Sequence, residues 1–283
     1  MADPGDAVVA AALDGGLTGL AAAYAAGVTP EAVAEEVLAR ISAADDPAVW
    51  IDVESADDLR RSAAALGSGP APGLPLWGVP FGVKDNIDVA DRVTTGALPG
   101  RARTAGRSAT VVARLQAAGA LYVGKTNLDQ LATGLVGTRS PYGIPRNPID
   151  PELIPGGSSS GSAVAVARRQ VAFALGTDTA GSGRVPAALC GVVGAKGIPG
   201  SRPLDGVMPA SPSIDCVSTF ATSVADALAV EAVTAGRIWP LATGPLRVAT
   251  AGPGIAGGVL ARLRASGHAV VDVDPAPFHE AGD

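Results

Sequence analysis

Apolar positions recur at helical spacing near the start of the chain. Residues 29–31, Thr-Pro-Glu, are a typical helix start, with a capping hydroxyl, a proline at the first helical position and an acid in the first turn. Val33, Val37 and Ile41 then fall on one helical face. A second helix is predicted over residues 56–66, so the N-terminal segment is expected to be helical.

Short apolar runs alternate with helical segments farther along the chain. The buried run LWGVPFGV leads to Lys84, and the run LYVG leads to Lys125. Between them, Ser108 is predicted to cap a helix with an apolar inner face. A further helix is predicted over 224–235, and a strand–helix–strand unit over 246–274. This alternation predicts an α/β fold with helices on both faces of the sheet.

Length and composition indicate a globular protein. Of the 283 residues, 47% are hydrophobic, which is enough to bury a substantial core. We predict a single domain over residues 1–283. It is expected to consist of a helical segment over about 1–70, a core over about 71–235 and a short βαβ part over about 236–283.

Charge and hydropathy exclude several classes of partner. The net charge of −6 and the pI near 5.0 disfavour a nucleic-acid surface. No apolar run reaches the length of about 18 residues needed for a membrane helix, and the N-terminus lacks the basic start of a leader. We therefore expect a cytoplasmic protein. Its expected partners are small molecules and, in a homodimer, a second copy of the same chain. Cys190 and Cys216 are expected to be buried apolar residues, and no metal or cofactor is predicted.

Two serine-bearing glycine clusters carry the candidate chemistry. They lie in IPGGSSSGS and GTDTAGSGRVP, and their key serines, Ser158 and Ser182, are 24 residues apart. Glycines at element ends expose backbone N–H groups, which suits a nucleophile and an oxyanion site. The two histidines, His268 and His279, lie outside any motif. A serine–histidine triad is therefore disfavoured.

Lysine is the best remaining candidate for a general base. The chain has three lysines, Lys84, Lys125 and Lys196, and all of them fall inside the block that carries the motifs. Arginine does not lose its proton near neutral pH, whereas a buried lysine does. A neutral lysine could therefore take the proton of a serine nucleophile.

Three separated motifs, GVPFGVKDNID, GGSSSGS and GTDTAGSGRVPAA, together resemble the amidase signature family over roughly residues 75–220. Within that family, GKTNLDQLATGLVGTRSPYG and SIDCVSTFA are most similar to the allophanate hydrolases. The resemblance implies a mixed central β-sheet flanked by helices on both faces, shortened at its C-terminal side. It also implies an amide hydrolase that needs no cofactor and cleaves allophanate (urea-1-carboxylate) to ammonia and carbon dioxide.

The resemblance assigns a role to each motif residue. It makes Ser182 the acylated nucleophile, Ser158 the bridging serine and Lys84 the base, with a cis peptide bond at Gly157–Ser158. In this chemistry Ser158 passes a proton between Ser182 and a neutral Lys84, and later to the departing nitrogen. To act near neutral pH, Lys84 must have its pKa lowered by burial.

The family's oxyanion loop corresponds to the backbone N–H groups of Thr179, Ala180, Gly181 and Ser182. By the same resemblance, Asp178 and Arg184 fix this loop, and the backbone of Gly134 lines the substrate pocket. The remaining polar residues of the motifs have structural interpretations. We expect Ser159 and Ser160 to be cap or turn hydroxyls of the following helix, Lys125 a partly exposed lysine at a strand end, and Lys196 a loop lysine.

The sequence departs from the family at its C-terminal side. It ends at APFHEAGD, before the stretch in which the allophanate hydrolases carry a tyrosine and an arginine that hold the substrate. We therefore expect either a fragment or a short form whose recognition groups come from elsewhere, with weak or altered activity in the absence of these groups. Three alternatives stay open: a general amidase for small carboxamides, the amidase component of a tRNA-dependent amidotransferase, and an incomplete, non-catalytic scaffold. The acidic charge disfavours the RNA-linked alternative.

Overall fold

The computed structural model describes residues 4–67, 69–70, 72–238, 243–250 and 257–280. The chain divides into two compact units, Met1–Ile238 and Trp239–Asp283. The helices of the larger unit are α1 (Pro4–Asp14), α2 (Gly16–Ala25), α3 (Pro30–Ala43), α4 (Ala56–Ala64), α5 (Thr110–Ala117), α6 (Ser160–Ala167), α7 (Arg184–Cys190) and α8 (Val224–Ala235). Its strands are β1 (Trp50–Val53), β2 (Pro80–Lys84), β3 (Val93–Thr94), β4 (Arg103–Thr104), β5 (Leu121–Thr126), β6 (Phe173–Asp178), β7 (Val193–Lys196) and β8 (Cys216–Ala221).

Within the described residues, six strands form the main sheet, in the order β1-β5-β2-β6-β8-β7. The central strands β5, β2 and β6 are parallel, whereas β1, β8 and β7 each pair antiparallel to a neighbour. Helices α3, α4, α6 and α8 pack against strands of this sheet. Strands β3 and β4 form a separate antiparallel pair. The predicted α/β class, with a mixed central sheet flanked by helices, is confirmed.

The residues predicted to cap or begin helices act as predicted, with one exception. The Thr29 side chain accepts a hydrogen bond from the backbone N–H of Ala32 at 3.3 Å and so caps α3. Helix α8 has the predicted bounds and is capped by Ser223. The prediction for Ser108 is wrong, because α5 begins at Thr110 after an Ala109 cap. The Ser108 hydroxyl instead accepts from the N–H of Ala90, which ties the preceding loop to the helix start.

The core beneath the candidate site is built from the two central strands. Phe81 of β2 and Phe173 of β6 are register partners, and their rings stack with centroids 5.2 Å apart. Val83 and Leu175, two positions further along, are also register partners, and the side chains of both pairs are fully buried. This packing sets the register of β2 against β6. It therefore brings Lys84, the last residue of β2, beside the carboxyl end of β6.

The smaller unit contains β9 (Arg247–Thr250), α9 (Gly257–Ala265), β10 (Ala269–Asp272) and α10 (Ala276–Glu280). Strands β9 and β10 pair in parallel, so the predicted strand–helix–strand unit is present. No helix in the described parts of the chain is both long and apolar enough to cross a bilayer. The division into a single domain with three parts stays a prediction.

Candidate active site

Lys84 lies at the carboxyl end of β2 and is fully buried. Its Nζ is 2.8 Å from Ser158 Oγ and 2.8 Å from Thr177 Oγ1. Among the described residues, no carboxylate forms a salt bridge with this amine. The direct neighbours of the amine are therefore two hydroxyl groups, which solvate a neutral amine but do not compensate a full positive charge.

Burial lowers the pKa of Lys84 to about 7. Three carboxylates oppose this effect through their negative charge, those of Asp129, Asp178 and Asp215. The balance leaves a substantial neutral fraction of the amine at neutral pH. Lys84 therefore satisfies the electronic requirement for a general base.

Ser158 is held immediately before α6 by its backbone. The Gly157–Ser158 peptide bond is cis, as predicted. The Ser158 carbonyl accepts a hydrogen bond from the N–H of Asp129 at 3.0 Å, and the Gly157 N–H donates to the carbonyl of Leu135 at 2.9 Å. The Ser158 side chain is fully buried. Its hydroxyl is therefore directed at Lys84 by surrounding backbone rather than by solvent.

Ser182 lies in the loop between β6 and α7, close to the Ser158 segment. Its carbonyl accepts from the N–H of Ser159 at 3.1 Å. Its Oγ donates to the Gly134 carbonyl at 3.3 Å, and no hydrogen bond joins it to Ser158 within the described residues. The predicted pocket residue Gly134 thus contacts the predicted nucleophile directly. In this geometry the Ser182 proton is therefore not passed to Ser158 through a direct hydrogen bond between the described side chains.

The loop before Ser182 presents backbone N–H groups. Gly181 has a φ of +133°, a conformation that favours glycine. Its N–H donates to Asp178 Oδ1 at 2.8 Å. The N–H groups of Thr179, Ala180 and Ser182 have no hydrogen-bond partner among the described residues. Three of the four predicted donors thus have no hydrogen-bond partner among the described residues, and the fourth stabilises the loop itself.

Asp178 and Arg184 form a pair at the base of the same loop. Arg184 donates from Nε and Nη2 to the two carboxylate oxygens at 2.9 and 3.0 Å, and from its backbone N–H at 3.0 Å. Burial would raise the pKa of Asp178, but these bonds and the Gly181 N–H outweigh it and hold the pKa below its usual value. The contacts fit the predicted structural role of the pair.

Sequence reasoning missed Thr177. Its Oγ1 contacts Lys84 and also accepts from Asn86 Nδ2 at 3.1 Å. Asn86 follows Lys84 by two residues, and Thr177 precedes Ser182 by five. Both lie inside motifs that the sequence analysis singled out, Asn86 near the end of one and Thr177 near the start of the other, and these polar motif residues were the available signal.

Two predictions for the other lysines are wrong. Lys125 is fully buried inside β5, where its Nζ lies 3.2 Å from Asp85 Oδ1 and donates to the Ile87 carbonyl at 2.5 Å. Lys196 is the last residue of β7 rather than a loop residue, and its Nζ lies 3.2 Å from Cys216 Sγ. Each lysine contacts groups contributed by a different strand or loop, which local sequence does not reveal.

The serines beside Ser158 are buried, but neither caps α6 through its side chain. Ser159 occupies the cap position, yet its hydroxyl donates to the Thr177 carbonyl at 3.1 Å. The Ser160 hydroxyl has no partner among the described residues. Cys190 and Cys216 are buried free thiols, as predicted. Within the described residues, no group of three or more His, Cys, Asp or Glu side chains is arranged to hold a metal ion.

Comparisons with known proteins agree with this geometry. The profile of the Amidase family matches residues 32–247. A urea amidolyase of Lachancea kluyveri is 51% identical over 187 residues, which are 66% of this chain and 10% of that protein. Mandelamide hydrolase of Pseudomonas putida is 38% identical over 220 residues, or 75% of this chain and 43% of that protein.

A solved structure of a Kluyveromyces lactis allophanate hydrolase variant is similar, with a TM-score of 0.80 and 37% identity. The similarity covers 90% of this chain and 46% of that one. This chain therefore spans less than half the length of each of these three relatives. The family match extends over most of the sequence and includes the lysine and both serine motifs. The chain belongs to the amidase signature family.

Proposed function

We propose that this chain is an amide hydrolase in which Ser182 is the nucleophile, Ser158 the bridging acid–base and Lys84 the base. The observation that carries this proposal is the contact of 2.8 Å between a fully buried Lys84 amine, with its pKa lowered to about 7, and Ser158 Oγ. The proximity of Ser182 to the same backbone segment adds to it. The N–H groups of the oxyanion loop that have no partner among the described residues support the proposal further.

In the proposed reaction, Ser182 Oγ forms a bond to the amide carbon while its proton passes to Ser158 and the Ser158 proton passes to Lys84. The carbonyl oxygen becomes an oxyanion, which the N–H groups of Thr179, Ala180 and Ser182 stabilise. The C–N bond then breaks, and the proton returns through Ser158 to the leaving nitrogen, because an amide anion is a very poor leaving group. Water then attacks the acyl carbon while its proton passes through Ser158 to Lys84. The ester bond to Ser182 Oγ breaks, Ser182 takes the proton back through Ser158, and the acid is released.

The substrate that we propose is allophanate, cleaved towards ammonia and carbon dioxide. Support comes from the similarity to proteins named urea amidolyase and allophanate hydrolase. The sequence is also 45% identical over 190 residues to a Treponema pallidum protein named as part of a glutamyl-tRNA(Gln) amidotransferase. The names of the relatives refer to several different amide substrates. The test therefore compares substrates as well as variants.

The test is ammonia release by the purified 283-residue chain from allophanate and, separately, from malonamide. We expect release from allophanate to exceed release from malonamide and to be abolished in Ser182→Ala. Ser160→Ala is the matched control, because that hydroxyl lies in the same cluster without a hydrogen-bond partner among the described residues. A preference for malonamide would indicate a general amidase. Absence of release from both would contradict the proposal and favour a non-catalytic scaffold.

A further inference from the structure

Asp129 is a buried carboxylate between the segments that carry the candidate site. It follows β5 in the chain, and its side chain is fully buried. Its Oδ2 accepts from the N–H of Gly137 at 3.0 Å, and its Oδ1 accepts from the N–H of Arg139 at 2.9 Å. The segment that follows Gly134 is thus tied to this carboxylate.

The same side chain packs against two glycines of the site. A Cβ placed on Gly157 would lie 2.1 Å from Asp129 Oδ2, and one placed on Gly134 would lie 2.8 Å from it. Gly157 precedes Ser158, and the Gly134 carbonyl accepts the hydroxyl of Ser182. Only residues without a side chain allow the carboxylate to come so close to both backbones.

The charge of Asp129 is weakly compensated. A carboxylate has about four acceptor positions, and the described residues fill two of these with neutral backbone donors. No salt bridge reaches it within the described residues. By contrast, Asp178 is paired with the Arg184 guanidinium, and Asp215 accepts from Thr179 Oγ1 and from the N–H groups of Ala210 and Ser211.

We propose that Asp129 is a positioning residue for the proposed hydrolysis. Its carboxylate holds the backbone at Gly137 and Arg139 and packs against Gly157, which precedes Ser158, and Gly134, which contacts Ser182, and its negative charge stabilises the ammonium that forms on Lys84 when the nucleophile loses its proton. This inference rests on the proposed function of Lys84 as a base. The physical reason is that an amine buried among hydroxyls alone would be a poor proton acceptor. A nearby anion restores enough proton affinity for the base to work near neutral pH.

Three carboxylates act on Lys84 through their negative charge, and they come from separate parts of the fold. Asp129 lies in the segment after β5, Asp178 at the end of β6, and Asp215 immediately before β8. Of these, Asp129 has the largest effect on the amine. Removal of its charge is therefore expected to weaken the base more than removal of either other charge.

The test reads the protonation of Lys84 without any substrate. Because the chain has three lysines, protein labelled with ¹³C at the lysine ε-carbon gives a small set of signals, and the Lys84 signal is the one lost in Lys84→Met. In Asp129→Asn, we expect the Lys84 titration midpoint to fall by about one pH unit or more from its wild-type value. Asp215→Asn is the matched comparison and should lower it less.

A midpoint that is unchanged in folded Asp129→Asn would overturn the inference, as would a larger fall in Asp215→Asn. If Asp129→Asn does not fold, as judged by circular dichroism, the same titration is made on Asp129→Ser, which keeps one small acceptor for the backbone N–H groups. The acid limb of the ammonia-release profile should move to lower pH together with the midpoint. If the wild-type chain releases no ammonia, the proposed function is contradicted. The titration still tests the inference on Asp129, because it needs no turnover.

Discussion

Lys84 and Lys125 are two fully buried lysines on adjacent strands, with contrasting surroundings. The register pairs Val83 with Lys125 and Lys84 with Thr126, so the two amines start from neighbouring positions in the sheet. Lys84 contacts two hydroxyls, whereas Lys125 contacts the Asp85 carboxylate. Burial lowers the pKa of both amines, and at Lys125 the adjacent carboxylate opposes it through direct contact.

Under the proposed mechanism, burial by itself does not make a lysine a base. An amine in contact with a carboxylate gains an ion pair and serves the structure, because loss of its proton would leave a buried anion uncompensated. An amine among hydroxyls keeps a neutral form that accepts a proton. The three lysines of the chain provide a matched set of substitutions to Met, which has similar volume and no charge.

The largest expected effect is that of Lys84→Met on catalysis. Loss of the base should reduce kcat for ammonia release by about 10⁴-fold or more. The protein should remain folded, because no buried carboxylate in contact with the amine is left unpaired. The two measurements are steady-state kinetics and guanidinium unfolding. Substantial activity in a folded Lys84→Met variant would show that Lys84 is not the base. Lys84 and Lys125 would then not differ in function as proposed.

Lys125→Met should act on stability instead. Removal of one member of a buried ion pair costs about 3–5 kcal/mol, since Asp85 is left without its counter-charge. We expect the guanidinium unfolding midpoint to fall by the corresponding amount. The double variant Lys125→Met with Asp85→Asn should recover part of the loss, because both charges are then absent. A Lys125→Met variant as stable as the wild type would show that the pair adds nothing.

The pH dependence of catalysis gives a smaller, graded effect. The proposed base works in its neutral form, so kcat/KM should be low below the Lys84 pKa and rise with increasing pH to a plateau above it. With that pKa near 7, the rise should be centred near pH 7 and approach tenfold per pH unit on its acid side. A rate profile that is flat between pH 5.5 and about pH 8 would contradict this assignment.

Thr177→Val tests the hydroxyl surroundings of Lys84. The change keeps the shape of the side chain but removes the contact between Thr177 Oγ1 and the amine, and it leaves Asn86 Nδ2 without its acceptor. A loss of about 1–2 kcal/mol, or roughly tenfold in kcat, is expected. Thr177→Ser retains the hydroxyl and should keep most of the activity. Equal losses in both variants would point to packing rather than to hydrogen bonding.

Lys196→Met should have the smallest effect of the set. This amine is half-buried at the end of β7 and contacts a thiol and the Gly197 carbonyl, without a carboxylate partner among the described residues. The unfolding free energy should change by less than about 1 kcal/mol, and kcat should stay within a factor of two or so. A large loss on either measure would show that the third lysine has a role beyond the strand end.

Local sequence predicted those parts of the fold that local physics determines. The Thr29 cap and the bounds of α8 followed from cap residues and helical spacing. The burial of Lys125 did not follow, because its partner Asp85 lies just after the neighbouring strand, 40 residues earlier in the chain. The predicted cap at Ser108 was one residue too early, because the Ser108 hydroxyl serves the loop before α5 and Ala109 occupies the cap position.

The candidate site could be located from its motifs but not assembled from them. The serines and Lys84 were recognised by their sequence context, whereas the contact of Lys84 with Thr177 depends on the alignment of β2 with β6 over 93 residues of chain. The link between Ser182 and Gly134 likewise joins segments 48 residues apart. Such contacts are set by strand register and core packing, which no single motif contains.

The complete burial of Lys84 also has a chemical consequence. An amine that is largely neutral near pH 8 reacts readily with electrophiles such as cyanate, whereas an ordinary surface lysine is protected by its proton. Here the protection comes from the full burial of the side chain, which keeps dissolved reagents away from the nitrogen. Carbamylation of Lys84 therefore requires a local opening of the structure. The rate at which Lys84 is carbamylated should therefore follow the frequency of local opening rather than the intrinsic reactivity of the nitrogen.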